Sequence, residues 1–272
     1  MENPLVDSRL ASVEKWFGLN SWVEVRRDGA VLIITINRPE KRNAINREMS
    51  LAIARALDEL DADGDLRVGI LTGAGAHFCA GMDLQAFADG RPPELEGRGF
   101  GGLTEMPPQK PLVAAVEGFA LAGGLELALA CDLIIAGDTA MFGLPEVRLG
   151  LIAGSGGLIR LPDRIPRSLA TKYALTGERF GAKEAERYGM IVETCAAGDA
   201  LNRALVLAQE IAANAPLSVQ MTKRILNEFS SDRESEVWQR QAPLIEEVLS
   251  SADATEGALA FTEKRNPMWS GT

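Results

Sequence analysis

Apolar residues recur with two different spacings along the first half of the chain. Trp22–Arg27 and Val31–Ile36 alternate in character on either side of Asp28-Gly29, which predicts a β-hairpin. Ala52, Ile53, Ala56, Leu57 and Leu60 recur at helical spacing, which predicts an amphipathic helix over Arg47–Asp61. Val68–Thr72 reads as a short buried strand, followed by a glycine-rich turn from Gly73 to Asp83. Residues 89–108 are rich in Gly and Pro and predict a mobile loop, of the kind that often closes over a binding site. A further strand, Pro111–Val116, feeds the run Glu117–Ile134. Short strands follow at Leu133–Ala136 and Ala140–Gly143. Beyond Pro166 the pattern is mainly helical, near 167–175, 182–188, 199–213, 216–229, 233–250 and 253–265. Strand and helix stop alternating near residue 195. The expectation is therefore an α/β core over 1–195 and a helical C-terminal segment over 196–272.

The run from Glu117 to Ile134 carries the densest chemistry. Ala122-Gly123-Gly124 opens a small, apolar, helix-favouring stretch with one carboxylate in its first turns, Glu126. A glycine pair at a helix start leaves backbone N–H groups free to face a ligand. Glu126 lies three residues beyond Gly123, so the two share nearly one face. The same pattern also fits plain helix packing with a solvated glutamate.

Composition narrows the partners. The chain has 272 residues, 46% hydrophobic and 24% charged, with a formal net charge of −10. That charge disfavours nucleic acid, which needs a basic face. Three cysteines (Cys79, Cys131, Cys195) without CxxC spacing predict neither a disulfide framework nor a zinc site. A single histidine, His77, excludes a multi-histidine metal centre. Met1–Asn20 lacks the apolar core of a signal peptide, and no clean membrane span is visible, so a soluble cytoplasmic protein is expected. Glycine patterns at Gly73-Ala-Gly75 and Gly154-Ser-Gly156 fail as dinucleotide fingerprints, having Phe78 and Ile159 where the last glycine belongs. Ala153-Gly-Ser155-Gly-Gly157 approaches a nucleophile elbow, but the only histidine precedes the serine, the wrong order for that fold.

Three motifs together resemble the enoyl-CoA hydratase/isomerase (crotonase) superfamily. They are Asn37-Arg-Pro-Glu-Lys-Arg-Asn-Ala44, Phe78-Cys-Ala-Gly-Met-Asp-Leu84, and Gly118-Phe-Ala-Leu-Ala-Gly-Gly-Leu-Glu-Leu-Ala128 continuing through Phe142-Gly-Leu-Pro-Glu146 to Gly154-Ser-Gly-Gly157. The resemblance covers residues 22–265. It implies a spiral of ββα units, a helical C-terminal segment used in trimerisation, a homotrimer or dimer of trimers, and an acyl-CoA thioester as substrate. It implies no cofactor beyond the coenzyme A of the substrate, and no metal. An oxyanion hole would come from the backbone N–H groups of Met82 and Gly123, each able to lower a barrier by about 3–4 kcal/mol. Glu126 and Glu146 would form the acid/base pair of a hydratase acting on a trans-2-enoyl-CoA. Gly154 would contact the water or hydroxyl; Phe78 and Ala80 would line the coenzyme A site. Lys41, Arg42, Phe261 and Lys264 would bind coenzyme A, with Lys264 reaching from a neighbouring subunit. Phe100 and Leu103 would either touch the acyl chain or pack onto the core. Ala153 stands where many hydratases have proline, and Gly156–Pro166 is similar to the carnitinyl-CoA dehydratase branch. A Δ3,Δ2-isomerase, which needs only one carboxylate, and a catalytically silent acyl-CoA-binding protein are the remaining alternatives.

Overall fold

Alternation along the first strands becomes antiparallel pairing. β1 (Val23–Asp28) and β2 (Val31–Ile36) place Asp28 opposite Val31, so the chain reverses at Gly29 as the spacing predicts. The computed structural model describes residues 22–268 and 270, with the backbone alone for 228–237 and 240; Met1–Asn20 lies outside the described residues. After β2 come α1 (Arg47–Ala62), β3 (Val68–Gly73), the short α2 (Leu84–Ala88), β4 (Leu112–Val116), β5 (Phe119–Leu121) and α3 (Gly123–Ala130). Then follow β6 (Leu133–Gly137), β7 (Met141–Gly143), α4 (Gly157–Arg164), α5 (Arg167–Thr176), β8 (Phe180–Gly181), α6 (Ala182–Arg187) and β9 (Glu193–Cys195). Three helices close the chain: α7 (Ala200–Ala212), α8 (Pro216–Leu249) and α9 (Ala252–Glu263).

Two sheets result. The larger runs β1-β2-β3-β4-β6-β9, parallel beyond the hairpin; the smaller runs β5-β7-β8. The chain repeatedly lays a strand in the large sheet, turns, lays a short one in the small sheet and leaves through a helical segment. β4–β5–α3 is one such unit, and β6–β7 begins the next. A bridge from Cys79 to Ala120 lets the segment after β3 join the small sheet too. This is the expected α/β architecture of ββα units.

The central strands are apolar on both faces because both are covered. Ile34, Leu71, Ala114 and Ile134 pack with α1 and α3. Their neighbours Ile33, Ile70, Val113 and Ile135 pack against Ala200, Ala204 and Ala208 of α7. α7 therefore lies against the sheet, and the helical extension begins at α8.

Two expectations need correction. The segment 89–108 is no free lid in its second half: Phe100 through Thr104 are buried. Gly102, at φ +65°, lies so close to α1 that a Cβ would stand 2.6 Å from the Ser50 carbonyl oxygen. Glycines chosen for positive φ let this segment press flat between helices, and composition alone cannot separate that from mobility. Residues 216–229 and 233–250 form one helix rather than two. Ser230-Ser231-Asp232 disfavour a helix only weakly, and neither Gly nor Pro interrupts them. Among the described residues no helix is long and apolar enough to cross a membrane.

Candidate active site

The first two motifs clamp one another. Ile45 N–H donates to the Gly81 carbonyl at 2.8 Å and Asp83 N–H to the Ile45 carbonyl at 2.8 Å. Arg38 pairs with Asp83 at 2.6 Å, both side chains largely buried, and Asp83 caps α2. Buried Asn43 accepts from Arg38 N–H and donates to the Ala74 and His77 carbonyls. Arg38, Asn43 and Asp83 thus hold the glycine-rich turn in place, a role their motif membership did not reveal. Met82 lies between the two Ile45 bonds, and among the described residues its N–H meets no acceptor within the chain.

Gly123 N–H is likewise without an internal acceptor among the described residues. Ala122, one residue before, has φ 52° and ψ −131°, a conformation costly for any residue with a Cβ and of the kind held only where surroundings enforce it. Gly81, at φ +104°, makes that approach possible. A Cβ there would stand 2.8 Å from Ala122 Cβ and 3.4 Å from Gly123 N. The turn carrying Met82 and the start of α3 therefore adjoin. The Phe100 ring covers Gly123 closely: a Cβ at 123 would come within 2.6 Å of it.

α3 is buried along its whole length, because its residues are small and apolar on every side. Glu126 is carried inside with it. Its Oε1 accepts from Ser155 N–H at 2.8 Å and Gly157 N–H at 2.9 Å. Burial pushes this carboxyl well above the ordinary range; the two N–H groups and the Arg160 charge pull it partly back. Glu146 opens a one-turn 3₁₀ helix (Glu146–Leu149) and is also buried. Burial raises its carboxyl, and the neighbouring Glu126 charge raises it further. Its Oε2 is buried with no hydrogen-bond partner among the described residues. The two glutamates thus meet electrostatically in one water-poor site.

The other expected residues divide by exposure. Ala80 is half-buried, and its N–H donates to the Arg42 carbonyl at 3.0 Å, which puts Lys41 and Arg42 on the open surface beside the Met82 turn. The Phe78 ring is fully buried, so only its backbone can face a ligand. Phe100 and Leu103 are core residues. Phe261 and Lys264 lie exposed at the end of α9, with Lys264 in the left-handed conformation that ends the helix. The structure does not bring them against the glutamates. Gly154 accepts a hydrogen bond from the Gln241 side chain at 2.9 Å.

Sequence reasoning missed the Ser155 and Gly157 N–H donors, Gln241, and Arg160, which donates to the Thr104 carbonyl at 2.7 Å. The glycine-rich string 154–157 was the available signal for the first two. Nothing in the sequence ties Gln241 to it. The C-terminal helices buttress the loop that donates to Glu126 and the turn that carries Glu146. Ile245 of α8 abuts Gly154, and Gly257 of α9 lies so close to the Leu149 carbonyl that no side chain fits between.

The profile of the family described as Enoyl-CoA hydratase/isomerase matches residues 26–272. A carnitinyl-CoA dehydratase of Escherichia coli K12 is 41% identical over 257 residues, covering 92% of this chain and 98% of that protein. Among solved structures, a carnitinyl-CoA hydratase from Mycobacterium avium is 44% identical with a TM-score of 0.89, covering 93% of this chain and 100% of the other. An enoyl-CoA hydratase from Mycobacterium marinum is 52% identical with a TM-score of 0.76, again covering 93% and 100%. With fold, site geometry and family profile in agreement, the chain belongs to the enoyl-CoA hydratase/isomerase family.

Proposed function

We propose that the protein is a hydro-lyase that adds water across the 2,3 double bond of a trans-2-enoyl-CoA, or removes it in reverse. The observation that carries this reading is a pair of buried glutamates with unequal surroundings, beside two N–H groups, Met82 in its turn and Gly123 at the start of α3, that have no acceptor among the described residues. Glu126, with two N–H donors on one oxygen, is suited to hold negative charge and act as base. Glu146, with an unpartnered buried oxygen, is suited to hold the proton. In the forward direction Glu126 takes a proton from water as the oxygen bonds to Cβ. Electrons move from the C=C bond into the thioester carbonyl, and the Met82 and Gly123 N–H groups hold the resulting oxyanion. Glu146 then gives its proton to Cα, forming the 3-hydroxyacyl-CoA. The pair exchanges its proton with solvent before the next turnover. No cofactor enters beyond the coenzyme A on the substrate.

Lys41, Arg42 and Lys264 supply exposed cations for the coenzyme A phosphates in this reading, the last from a neighbouring subunit of a trimer or a dimer of trimers. Following loss of the conjugated thioester absorbance of a short enoyl-CoA tests the reaction. Wild-type turnover that survives replacement of both glutamates by glutamine would sink it.

A second reading places a carnitinyl-CoA in the same site. It is favoured by the likeness of Gly156–Pro166 to the carnitinyl-CoA dehydratase branch and by the 41% identity to the Escherichia coli K12 carnitinyl-CoA dehydratase. Comparing turnover of crotonyl-CoA with that of carnitinyl-CoA separates the two.

A further inference from the structure

The peptide joining Gly154 to Ser155 is hydrogen-bonded at both ends. Its N–H, on Ser155, donates to Glu126 Oε1 at 2.8 Å. Its carbonyl, on Gly154, accepts from Gln241 Nε2 at 2.9 Å. In a planar trans peptide these two groups point in opposite directions. Gln241 and Glu126 therefore sit on opposite sides of one rigid plane. Glycine on one side of that plane makes a peptide flip cheap, and a flip would break both bonds together. Gln241 and Ile245 lie four residues apart on α8, so they share a face. Ile245 closes the remaining space: a Cβ on Gly154 would stand 2.7 Å from its Cδ1.

We propose that Gln241 is a positioning residue for Glu126, holding the Ser155 N–H on the catalytic carboxylate through the single Gly154–Ser155 peptide. A helix more than a hundred residues away in sequence thereby sets the orientation of the base. Three bonded units in a row, the Gln241 amide, the peptide and the carboxylate, also polarise one another. The inference rests on the hydratase reading of the site.

Gln241→Met keeps the length and packing of the side chain and removes the amide that donates. A net hydrogen bond is worth about 1 kcal/mol, roughly fivefold. Amide hydrogen exchange at Ser155 is therefore expected to quicken about fivefold in Gln241→Met. The kcat is expected to fall by a similar factor, with KM for acyl-CoA within about twofold of wild type. The Ser155 N–H favours the ionised Glu126, so its loss moves the acidic limb of the kcat–pH profile to higher pH. Gln241→Glu acts in the same direction and further, since a carboxylate cannot donate to the Gly154 carbonyl and is repelled by its oxygen. Ile245→Val serves as the packing control: it lowers Tm and leaves the limb in place. Wild-type exchange at Ser155 in Gln241→Met, or an unmoved limb in active enzyme, overturns the proposal. If the wild-type protein turns over no acyl-CoA, the functional reading fails, while exchange at Ser155 still decides what Gln241 does.

Discussion

Glu126 and Glu146 are the same residue type, both buried, yet they sit in unlike places. Glu126 rides on a helix packed on every side and meets two backbone N–H groups. Glu146 sits at the start of a single 3₁₀ turn, its Oε2 without a partner among the described residues. Two N–H bonds stabilise an anion; an unpartnered oxygen in a dry site favours the protonated acid. In the proposed reaction, division of labour between base and acid would then follow from the backbone around the carboxyls, and not from the carboxyls themselves.

The comparison breaks most sharply by removing each carboxylate. Glu126→Gln or Glu146→Gln is expected to lower kcat by about 10²–10⁴-fold, the usual worth of a positioned acid or base. Turnover of a short enoyl-CoA measures it. If only one substitution matters, the enzyme runs on a single carboxylate, as an isomerase does.

Gly157→Ala is the next largest. The new methyl would lie 3.0 Å from Glu126 Oε1 and from Leu144 Cδ2, so the carboxylate must shift by a few tenths of an ångström. Displacement on that scale is expected to cost about tenfold in kcat, with little change in KM, since misplacement by a full ångström costs about a hundredfold. Steady-state kinetics read the split.

The pH profile tests the pairing itself. Both carboxyls are raised, so the acidic limb of kcat is expected well above the ordinary carboxylate range. Below it, Glu126 gains a proton and the base is lost. Replacing Glu126 with glutamine removes the charge that raises Glu146, which should move the alkaline limb, where Glu146 loses its proton, downward in whatever activity remains.

Stability gives the smallest effect and the one independent of substrate. The folded Glu146 carboxyl is raised above its unfolded value, so it contributes stability at low pH that is lost as pH rises through the folded value. Glutamine carries no such term. Glu146→Gln is therefore expected to gain Tm relative to wild type as pH rises from 5 to 9, by about 4 °C or more. A pH-independent difference in Tm would mean that Glu146 is not buried as an acid.

Much of this was legible in the chain. The β1–β2 hairpin, α1 and the strand before the glycine helix follow from apolar spacing, because periods of two and 3.6 residues are local properties. The motif order gave the family, and with it the expectation for Met82, Gly123, Glu126 and Glu146. The loop at 89–108 was misread because glycine marks both flexibility and close packing. Residues 216–249 were misread because a weak helix former does not stop a helix already under way.

By itself, then, the sequence determined which residue types are available to the site and the elements that carry them. Tertiary structure decided their electrostatic identity. The donors that meet Glu126 come from residues 155 and 157, and the amide that holds that peptide comes from residue 241. Burial and hydrogen bonding set the charge of a carboxyl, and both are properties of what folds against it from far along the chain.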